Sequence, residues 1–433
     1  METRIKAEWD RLRTVAIHRP GMEMFFGLLE PYASLYERAF SQNGAIREHE
    51  RLEHVLRHEF RINVIRMRDT IVEAAERNPE IHNRLVRAAY DVIGVTGDEA
   101  EVKLARNELE KNKDILDPDH FLSILLLNPQ IELEKDKGTR MIHLDIAEKQ
   151  PLSNIYFMRD QQAITDKGIF LSRMSKPQRR REPIITKLLW DVLGAEVVHT
   201  VTEPGTFEGG DFIPMKDFAL VGVGDRTNEL GLNQLLNHGI GFDEVGVVHR
   251  PNHPLIPESG TDSMINMHLD TYFNIASSGV AVGRKALLKA AKVDIYNRAG
   301  PGTYEKEKDS TDLLSYINGW GFDVVDITTL EQLSYATNFL TIKDGTILSV
   351  EVAKDVKDVL FQLQAKSHAE PQRYRALLEQ AEKDFKFLKS ESEFFPHKRE
   401  MYQHGIDAYP MVLTNLTGGY GAAHCMTAAL RRG

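Results

Sequence analysis

Short runs of apolar and β-branched residues, bounded by glycine or polar residues, recur along the chain and predict β-strands. They lie at 168–174, 195–201, 218–224, 278–283, 322–327 and 345–350. Apolar residues also recur at helical spacing, as at 48–60 and 183–193, and predict amphipathic helices. The alternation of strand and helix predicts an α/β fold of repeated units, whose irregular spacing favours a closed ring over an open stack.

Two charged stretches break this rhythm. Residues 70–150 carry few strand signals and include the long polar run 99–114, which predicts a helical insertion. Residues 352–398 include helical spacing at 374–387 and predict a second helical excursion. Because no Gly/Ser-rich linker separates independent modules, we expect one catalytic body, residues 1–69 and 151–433, with appended helices.

Composition and charge limit the partners and the cellular location that we expect for this chain. Hydrophobic residues are 42% and charged residues 27% of the 433-residue chain, which is typical of a folded protein. A net charge of −10 disfavours nucleic acid and anionic membranes as partners. The first residues, 1–6, lack the apolar core of a secretory signal, and the apolar run 124–127 is too short to span a membrane. We therefore expect a cytoplasmic protein, and a homo-oligomer stays open.

The single cysteine, Cys425, follows the glycine-rich run Gly418-Gly419-Tyr420-Gly421. Glycines permit the dihedral angles of a tight loop, so this run could present the thiol to a substrate. A buried structural cysteine is the alternative, because free cysteine is among the most buried residue types. One cysteine cannot form an intramolecular disulfide.

Two segments carry carboxylates beside apolar residues. The first, Asn-Ile-Tyr-Phe-Met-Arg-Asp at 154–160, predicts a strand-like approach that ends either in a cleft or in a surface ion pair. The second, Glu-Gly-Gly-Asp at 208–211, could direct both acids into one site or form a surface turn.

His268 and Asp270 would share one face of an extended strand, an arrangement that suits acid–base chemistry near neutral pH. A core or surface histidine is the alternative. Arg179 and Arg226 could hold a carboxylate, although the triple arginine at 179–181 could equally be a solvated patch. No HExxH motif, second cysteine or paired histidine spacing indicates a metal, so we expect no metal site.

Together these groups suit a site for arginine, in which acids bind guanidinium, arginines hold the α-carboxylate and a thiolate attacks between them. The same set, in this chain order, resembles the arginine deiminases of the guanidine-modifying amidinotransferase and deiminase superfamily. The matching motifs are Asn-x-Tyr-Phe-x-Arg-Asp at 154–160, Glu-Gly-Gly-Asp at 208–211, His-Leu-Asp at 268–270, Cys-Met at 425–426 and Val-Ala-Ile-His-Arg-Pro-Gly at 15–21.

The resemblance implies roles for the reacting groups. Cys425 would be the nucleophile on the guanidinium carbon, and His268 the general acid and base. Asp160 and Asp270 would grip the guanidinium nitrogens. Glu208 would orient His268 and the substrate.

The resemblance also implies how the rest of the substrate is held. Asn154, Arg179 and Arg226 would bind its amino-acid end, and Phe157 would pack beside it. The family's fold is a five-fold pseudosymmetric α/β propeller, the pentein fold, often with a helical domain inserted where 70–150 lies here. No cofactor is implied.

The implied reaction is hydrolytic deimination of L-arginine to L-citrulline and ammonia through a covalent amidino-thioether on Cys425. One alternative is an amidinotransferase, in which an amine attacks the same intermediate; another is a non-catalytic guanidine-binding regulatory protein. Agmatine and methylated arginine are further substrates to consider. The chain departs from the family at Gln161-Gln162, where many members have Pro-Phe, and at Tyr420, where some have an arginine.

Overall fold

The structure is a computed structural model and describes residues 1, 3–135, 142–258, 262 and 264–433. Its first elements are β1 (Leu12–Ile17), α1 (Met22–Leu29), α2 (Gln42–His54) and β2 (Asn63–Arg66). The Ser41 side chain caps the start of α2, which continues into a π-helical turn at its end. The apolar face predicted at 48–60 is buried through Leu52, Val55 and Leu56.

Residues 67–148 contain both helices and strands. The elements are α3 (Met67–Arg77), α4 (Pro79–Val92), β3 (Gly94–Gly97), α5 (Glu99–Asn112), α6 (Pro118–Leu127), β4 (Pro129–Lys135) and β5 (Ile142–Glu148). The helical prediction for 70–150 is correct for its helices but misses the sheet formed by β3, β4 and β5. These strands alternate apolar and polar residues and carry no continuous apolar run, so their signal was weak. Ile71, Leu85 and Phe121 share a buried cluster with Val15 and Leu430, so these helices pack on the core of the α/β body.

The middle of the chain follows the predicted alternation. Its elements are β6 (Gln162–Thr165), β7 (Gly168–Leu171), α7 (Glu182–Leu193), β8 (Val197–Thr200), β9 (Phe212–Pro214), β10 (Phe218–Val223), α8 (Glu229–His238) and β11 (Glu244–His249). The strands predicted at 168–174, 195–201 and 218–224 are confirmed. The helix predicted at 183–193 is also present.

Strands and helices continue to alternate through residue 333. The elements are β12 (Phe273–Ser277), β13 (Val280–Gly283), α9 (Lys285–Ala290), β14 (Lys292–Gly300), β15 (Thr303–Asp312), α10 (Leu313–Gly319), β16 (Asp323–Asp326) and α11 (Thr329–Leu333). The last part holds β17 (Leu340–Lys343), β18 (Thr346–Val350), α12 (Val352–Ala369), α13 (Pro371–Glu391), α14 (Arg399–Gln403), β19 (Asp407–Met411) and β20 (Ala428–Arg432). The helix predicted at 374–387 lies within α13. No described helix is long and apolar enough to cross a membrane.

Five sheets of the described chain repeat one pairing pattern. In each, an antiparallel pair of strands is followed by a third strand that is parallel to the second. The five sets are β6-β7-β8, β9-β10-β11, β12-β13-β16, β17-β18-β19 and β20-β1-β2. The β14–β15 hairpin extends the second set through β11. The predicted repetition of α/β units is therefore present in the pairing itself.

Candidate active site

The segment immediately before the first strand of each repeated sheet carries a polar or nucleophilic residue. These residues are Asp160 before β6, Asp211 before β9, Asp270 before β12, Asn338 before β17 and Cys425 before β20. All five are buried. The repeated pairing thus brings one short segment from each sheet toward a common centre, although the five lie far apart in the sequence.

Cys425 lies at this centre and is only 3% exposed. Its Sγ is 3.0 Å from Nδ2 of Asn338 and 3.5 Å from Oδ2 of Asp270. Burial, together with the nearby carboxylates of Asp270 and Asp160, raises the pKa of the Cys425 thiol well above its usual range. The thiol is therefore protonated at neutral pH in the free protein.

A small cavity of about 20 Å³ opens beside the sulfur, with room for a water molecule. Its lining includes Asn154, Phe157, Asp160, Arg179, Arg226, His268, Tyr420 and Cys425. The predicted site residues Asp270 and Glu208 contact this lining through Cys425 and His268. All nine residues predicted from the sequence thus belong to one connected cluster.

Asp160 is held by a buried arginine. Nη1 of Arg179 is 2.6 Å from Oδ2 of Asp160, and Nε and Nη2 of Arg179 are each 2.9 Å from a Glu182 oxygen. Gln161, one of the positions that departs from the family pattern, donates to the same Glu182 at 2.6 Å. Arg179 was expected at the amino-acid end of the substrate; here its guanidinium binds the acid expected at the other end.

The segment that carries Asp160 is not the predicted strand. Backbone hydrogen bonds from Phe157 to Asn154 and from Asp160 to Phe157 fold residues 154–160 into successive turns. Gly419 and Gly421 pack against the Phe157 ring, where an added Cβ would lie 3.1 Å and 2.6 Å from ring carbons. The glycines before Cys425 therefore permit close packing of two loops.

Glu208 links His268 to Arg226. Its Oε2 is 2.9 Å from Nε2 of His268 and 3.5 Å from Nη1 of Arg226. Burial favours a neutral Glu208, but Arg226 and the hydrogen bond from His268 outweigh it and lower the carboxyl pKa. Burial would lower the pKa of His268, yet Asp160 and the bond to Glu208 raise it to about 9. His268 is consequently an imidazolium at neutral pH.

His268 and Asp270 reach the site from a short 3-10 turn, Leu269–Thr271, so the predicted strand at this motif is wrong. The strand β12 begins only at Phe273, because the turn bonds Thr271 and Tyr272 back to His268 and Leu269. Burial opposes ionisation of Asp270, but hydrogen bonding to His424 lowers its pKa. Both side chains still face the same centre.

Asp211, the second acid of the Glu-Gly-Gly-Asp motif, does not contact the cavity. Its two oxygens accept from Thr227 Oγ1 at 2.7 Å and from the Leu269 amide at 3.1 Å. Burial raises the pKa of Asp211 to about 7. This acid supports the turn that presents His268.

Three buried residues at the site went unnoticed in the sequence. Asn338 contacts the sulfur, Glu182 fixes Arg179, and Nδ1 of His424 lies 2.7 Å from Oδ2 of Asp270. Asn338 stands two residues before β17, as Asp160 stands two before β6, and that recurrence was the available signal for Asn338. It could be recognised only after the five sheets had been matched to one another.

Donor atoms of Asp160, Glu208 and His268 lie within 4.8 Å of one another, which is compatible in distance with a metal ion. However, Nε2 of His268 already bonds Glu208, and Oδ2 of Asp160 bonds Arg179. A cation bound through these two atoms would displace both contacts. An acidic cluster beside a thiol also suits an organic cation such as guanidinium.

The sequence is similar to those of known proteins. The family described as arginine deiminase matches residues 33–432. An arginine deiminase of Halobacterium salinarum is 26% identical, over 98% of this chain and 96% of that protein. An arginine deiminase of Streptococcus sanguinis is 26% identical, over 63% of this chain and 67% of that protein.

Two solved structures share the fold. The N-terminal domain of ArgZ, an arginine dihydrolase from cyanobacteria, aligns with a TM-score of 0.51 at 12% identity, over 98% of each chain. AgrE, in a ternary complex with ornithine and NAD+, aligns with a TM-score of 0.52 at 11% identity, over 97% of this chain and 39% of that one.

Proposed function

This chain belongs to the arginine deiminase family, and we propose that it hydrolyses L-arginine to L-citrulline and ammonia through a covalent intermediate on Cys425. It is an enzyme acting on a guanidino substrate. One observation carries the proposal for arginine. Asp160 and Asp270 each have one oxygen bound by the protein, while Oδ1 of each is buried without a hydrogen-bond partner among the described residues.

Two buried, unpartnered carboxylate oxygens flanking a thiol are costly unless a ligand donates to them. Guanidinium is a planar cation with several N–H donors, and it fits this pair of acceptors. Asp160 Oδ1 and Asp270 Oδ1 would each accept from a guanidinium nitrogen, placing its carbon near the Cys425 sulfur. The cavity must enlarge to admit the substrate, since its present volume is about 20 Å³.

Arg226 is the group best suited to the substrate carboxylate. It is 1% exposed, it lines the cavity, and its Nε and Nη1 have no hydrogen-bond partner in the described part of the chain. Asn154 lines the same cavity with its Nδ2 fixed by the Ser34 carbonyl at 2.6 Å. Arg226 is paired with Glu208 through Nη1 at 3.5 Å, but its Nε–H stays available to an anion. This donor favours L-arginine over agmatine, which lacks the carboxylate.

The charges suggest how the nucleophile forms. Asp270 and Asp160 oppose ionisation of Cys425 in the free protein. Bound guanidinium would offset both acids, so the thiol releases its proton to solvent as the substrate binds. The sulfur then attacks the guanidinium carbon and gives a tetrahedral adduct.

His268 is placed to supply the proton for the leaving group. Its Nε2–H donates to Glu208, which leaves Nδ1–H, 3.7 Å from Asp160 Oδ1, on the side of the proposed guanidinium site. Transfer of this proton lets the C–N bond break and ammonia depart, leaving the amidino-thioether. Water then adds to the same carbon and gives a proton back to His268. The C–S bond breaks, the hydroxyl proton of the adduct passes to the departing sulfur to restore the Cys425 thiol, and citrulline is released.

Replacement of the nucleophile tests the proposal. Cys425→Ala should bind L-arginine, measured by calorimetry, and release no ammonia, whereas the wild-type protein should release citrulline and ammonia in equal amounts. Ammonia release by Cys425→Ala would refute the assignment. Formation of ornithine only with an added amine would instead support an amidinotransferase, and no turnover of any guanidine would support a regulatory binding protein.

We also propose that the five repeated sheets form a five-fold pseudosymmetric propeller. Five sets of strands with the same pairing, each contributing one segment to a common centre, support a ring arrangement. In this proposal residues 1–69 and 151–433 form the catalytic body, with 70–150 inserted and 352–398 a further helical excursion.

A further inference from the structure

Asn338 occupies the site position of the fourth repeated sheet. It is completely buried, and it stands immediately before β17, where the other four sheets place Asp160, Asp211, Asp270 and Cys425. An asparagine side chain does not act as an acid or a base near neutral pH. Its contribution must therefore come from the hydrogen bonds of its carbonyl oxygen and its NH2 group.

Both halves of that amide engage the nucleophile loop. Oδ1 accepts from the backbone N–H of Ala422 at 2.8 Å and of Cys425 at 3.1 Å. Nδ2 donates to the Cys425 sulfur at 3.0 Å and approaches the Asp270 carbonyl at 3.4 Å. The Asn338 carbonyl also accepts from the His424 amide at 3.1 Å. One residue therefore fixes the loop and aims a donor at its sulfur.

We propose that Asn338 is a positioning residue with two separable tasks: its Oδ1 holds the loop that carries Cys425, and its Nδ2–H stabilises the Cys425 thiolate. The second task matters because Oδ2 of Asp270 lies 3.5 Å from the same sulfur and repels negative charge there. The Nδ2–H of Asn338 is a neutral donor that points at the sulfur and so offsets this repulsion. Hydrogen bonds to charged groups are the stronger class, so the donor should change thiolate formation measurably.

The substitution Asn338→Asp keeps the loop-holding oxygen and abolishes the donor task, and the carboxyl that it introduces opposes the thiolate in the same direction. It keeps an oxygen that can accept from Ala422 and Cys425 but replaces the N–H donor with an acceptor. Asn274→Ala is the matched control: the Asn274 amide donates to the carbonyls of Thr337 and Phe339, at 2.8 Å and 2.9 Å, and so supports the segment that carries Asn338 without contacting Cys425.

The readout is the pH dependence of alkylation by iodoacetamide. Cys425 is the only cysteine, so the rate reports on this thiol alone. Removal of the donor should move the alkylation midpoint of Asn338→Asp to higher pH and slow the reaction at neutral pH by at least about tenfold. Asn274→Ala should keep the wild-type midpoint. The midpoint separates thiolate formation from access to the buried sulfur, which alters only the maximal rate.

A wild-type midpoint in a folded Asn338→Asp protein, or an equal shift in Asn274→Ala, would overturn the proposal. If Asn338→Asp does not fold, the wild-type protein still decides the question by NMR. The side-chain NH2 resonance of Asn338 should titrate together with Cys425, and an unmoved resonance would contradict the contact. The proposal rests on the proposed function for the identity of the nucleophile, but alkylation requires no arginine. If the wild-type protein does not turn over arginine, the proposed function fails, but this test of Asn338 can still be carried out.

Discussion

Nη1 of Arg179 lies 2.6 Å from Oδ2 of Asp160, so a guanidinium of the protein already occupies one edge of a carboxylate proposed to bind the substrate's guanidinium. Burial opposes the charge of Arg179, but Glu182 and Asp160 outweigh it and raise the arginine pKa. The pair fixes Asp160 and leaves its Oδ1 without a hydrogen-bond partner among the described residues. Arg179 thus holds Asp160 through Oδ2, so that Oδ1 is oriented toward the proposed guanidinium site.

Removal of this arginine should damage both stability and catalysis. Arg179→Met leaves Glu182 and Asp160 buried without their counter-ion, so we expect the free energy of unfolding to fall by about 3–5 kcal/mol. We expect kcat/KM for arginine to fall at least about 100-fold because Asp160 loses its orientation. Urea unfolding and steady-state ammonia release measure the two effects.

The control for this substitution is Arg180→Met. Arg180 donates to the Ser175 carbonyl at 3.0 Å and does not contact Asp160. Equal losses in the two variants would contradict the orienting role of Arg179.

The charge of His268 predicts an alkaline limit to activity. Its pKa of about 9 means that the proposed proton donor is lost above that pH, so kcat/KM should decline there. The same group links stability to pH. Because folding raises this pKa from 6.5 to about 9, the stabilisation is complete below pH 6.5 and disappears as pH rises through 9.

His268→Gln should therefore flatten the fall in unfolding free energy across this interval, measured by urea denaturation. His253→Gln is the control, since burial lowers the pKa of His253 to about 4 and keeps it neutral throughout. An unchanged pH dependence in His268→Gln would show that another group is responsible.

Gly210 packs against His268 and Asp160, two of the proposed catalytic groups, without room for a side chain. A Cβ there would lie 2.8 Å from Nδ1 of His268 and 3.0 Å from Oδ1 of Asp160. Gly210→Ala should displace one of these groups and lower kcat by about 100-fold. Gly319→Ala, which places its methyl group in open space, should leave kcat unchanged.

The hairpin formed by α12 and α13 reaches Tyr420 at the edge of the cavity. Lys366 Nζ is 5.8 Å from the ring centroids of both Tyr374 and Tyr420, and Tyr420 lines the cavity. Weak cation–π contacts of this kind contribute roughly 0.5–1 kcal/mol. Lys366→Met should loosen the packing of Tyr420 over the cavity. Alkylation of Cys425 should become about two- to fivefold faster, with its pH midpoint unchanged. Lys357→Met, an exposed change on the same helix, should leave the alkylation rate unchanged. Equal acceleration in the two variants would contradict the role of Lys366.

The sequence predicted the strands with continuous apolar runs, because burial on both faces leaves a strong local signal. It missed β3, β4 and β5, whose residues alternate with polar ones. At 154–160 and 268–270 it predicted strands where the chain turns, since local apolar content does not distinguish a buried turn from a strand.

The nine predicted site residues were chosen mostly for titratable or nucleophilic side chains, whose chemistry is evident from residue type alone. Glu182 and His424 also carry titratable side chains and were still missed. Asn338 was missed because a neutral amide is common, and its meaning depends on a sulfur 87 positions away. The Arg179–Asp160 pair was not foreseen either, because both residues suit a substrate equally well. Only packing decides which charges satisfy one another inside the protein.

The placement of one site segment before the first strand of each repeated sheet has a thermodynamic consequence. If the sheets can open separately, chemistry stops when the weakest of them opens, even while the other four persist. Activity would then track the least stable sheet, and spectroscopic unfolding would track their average. Heat inactivation could accordingly precede the loss of secondary structure.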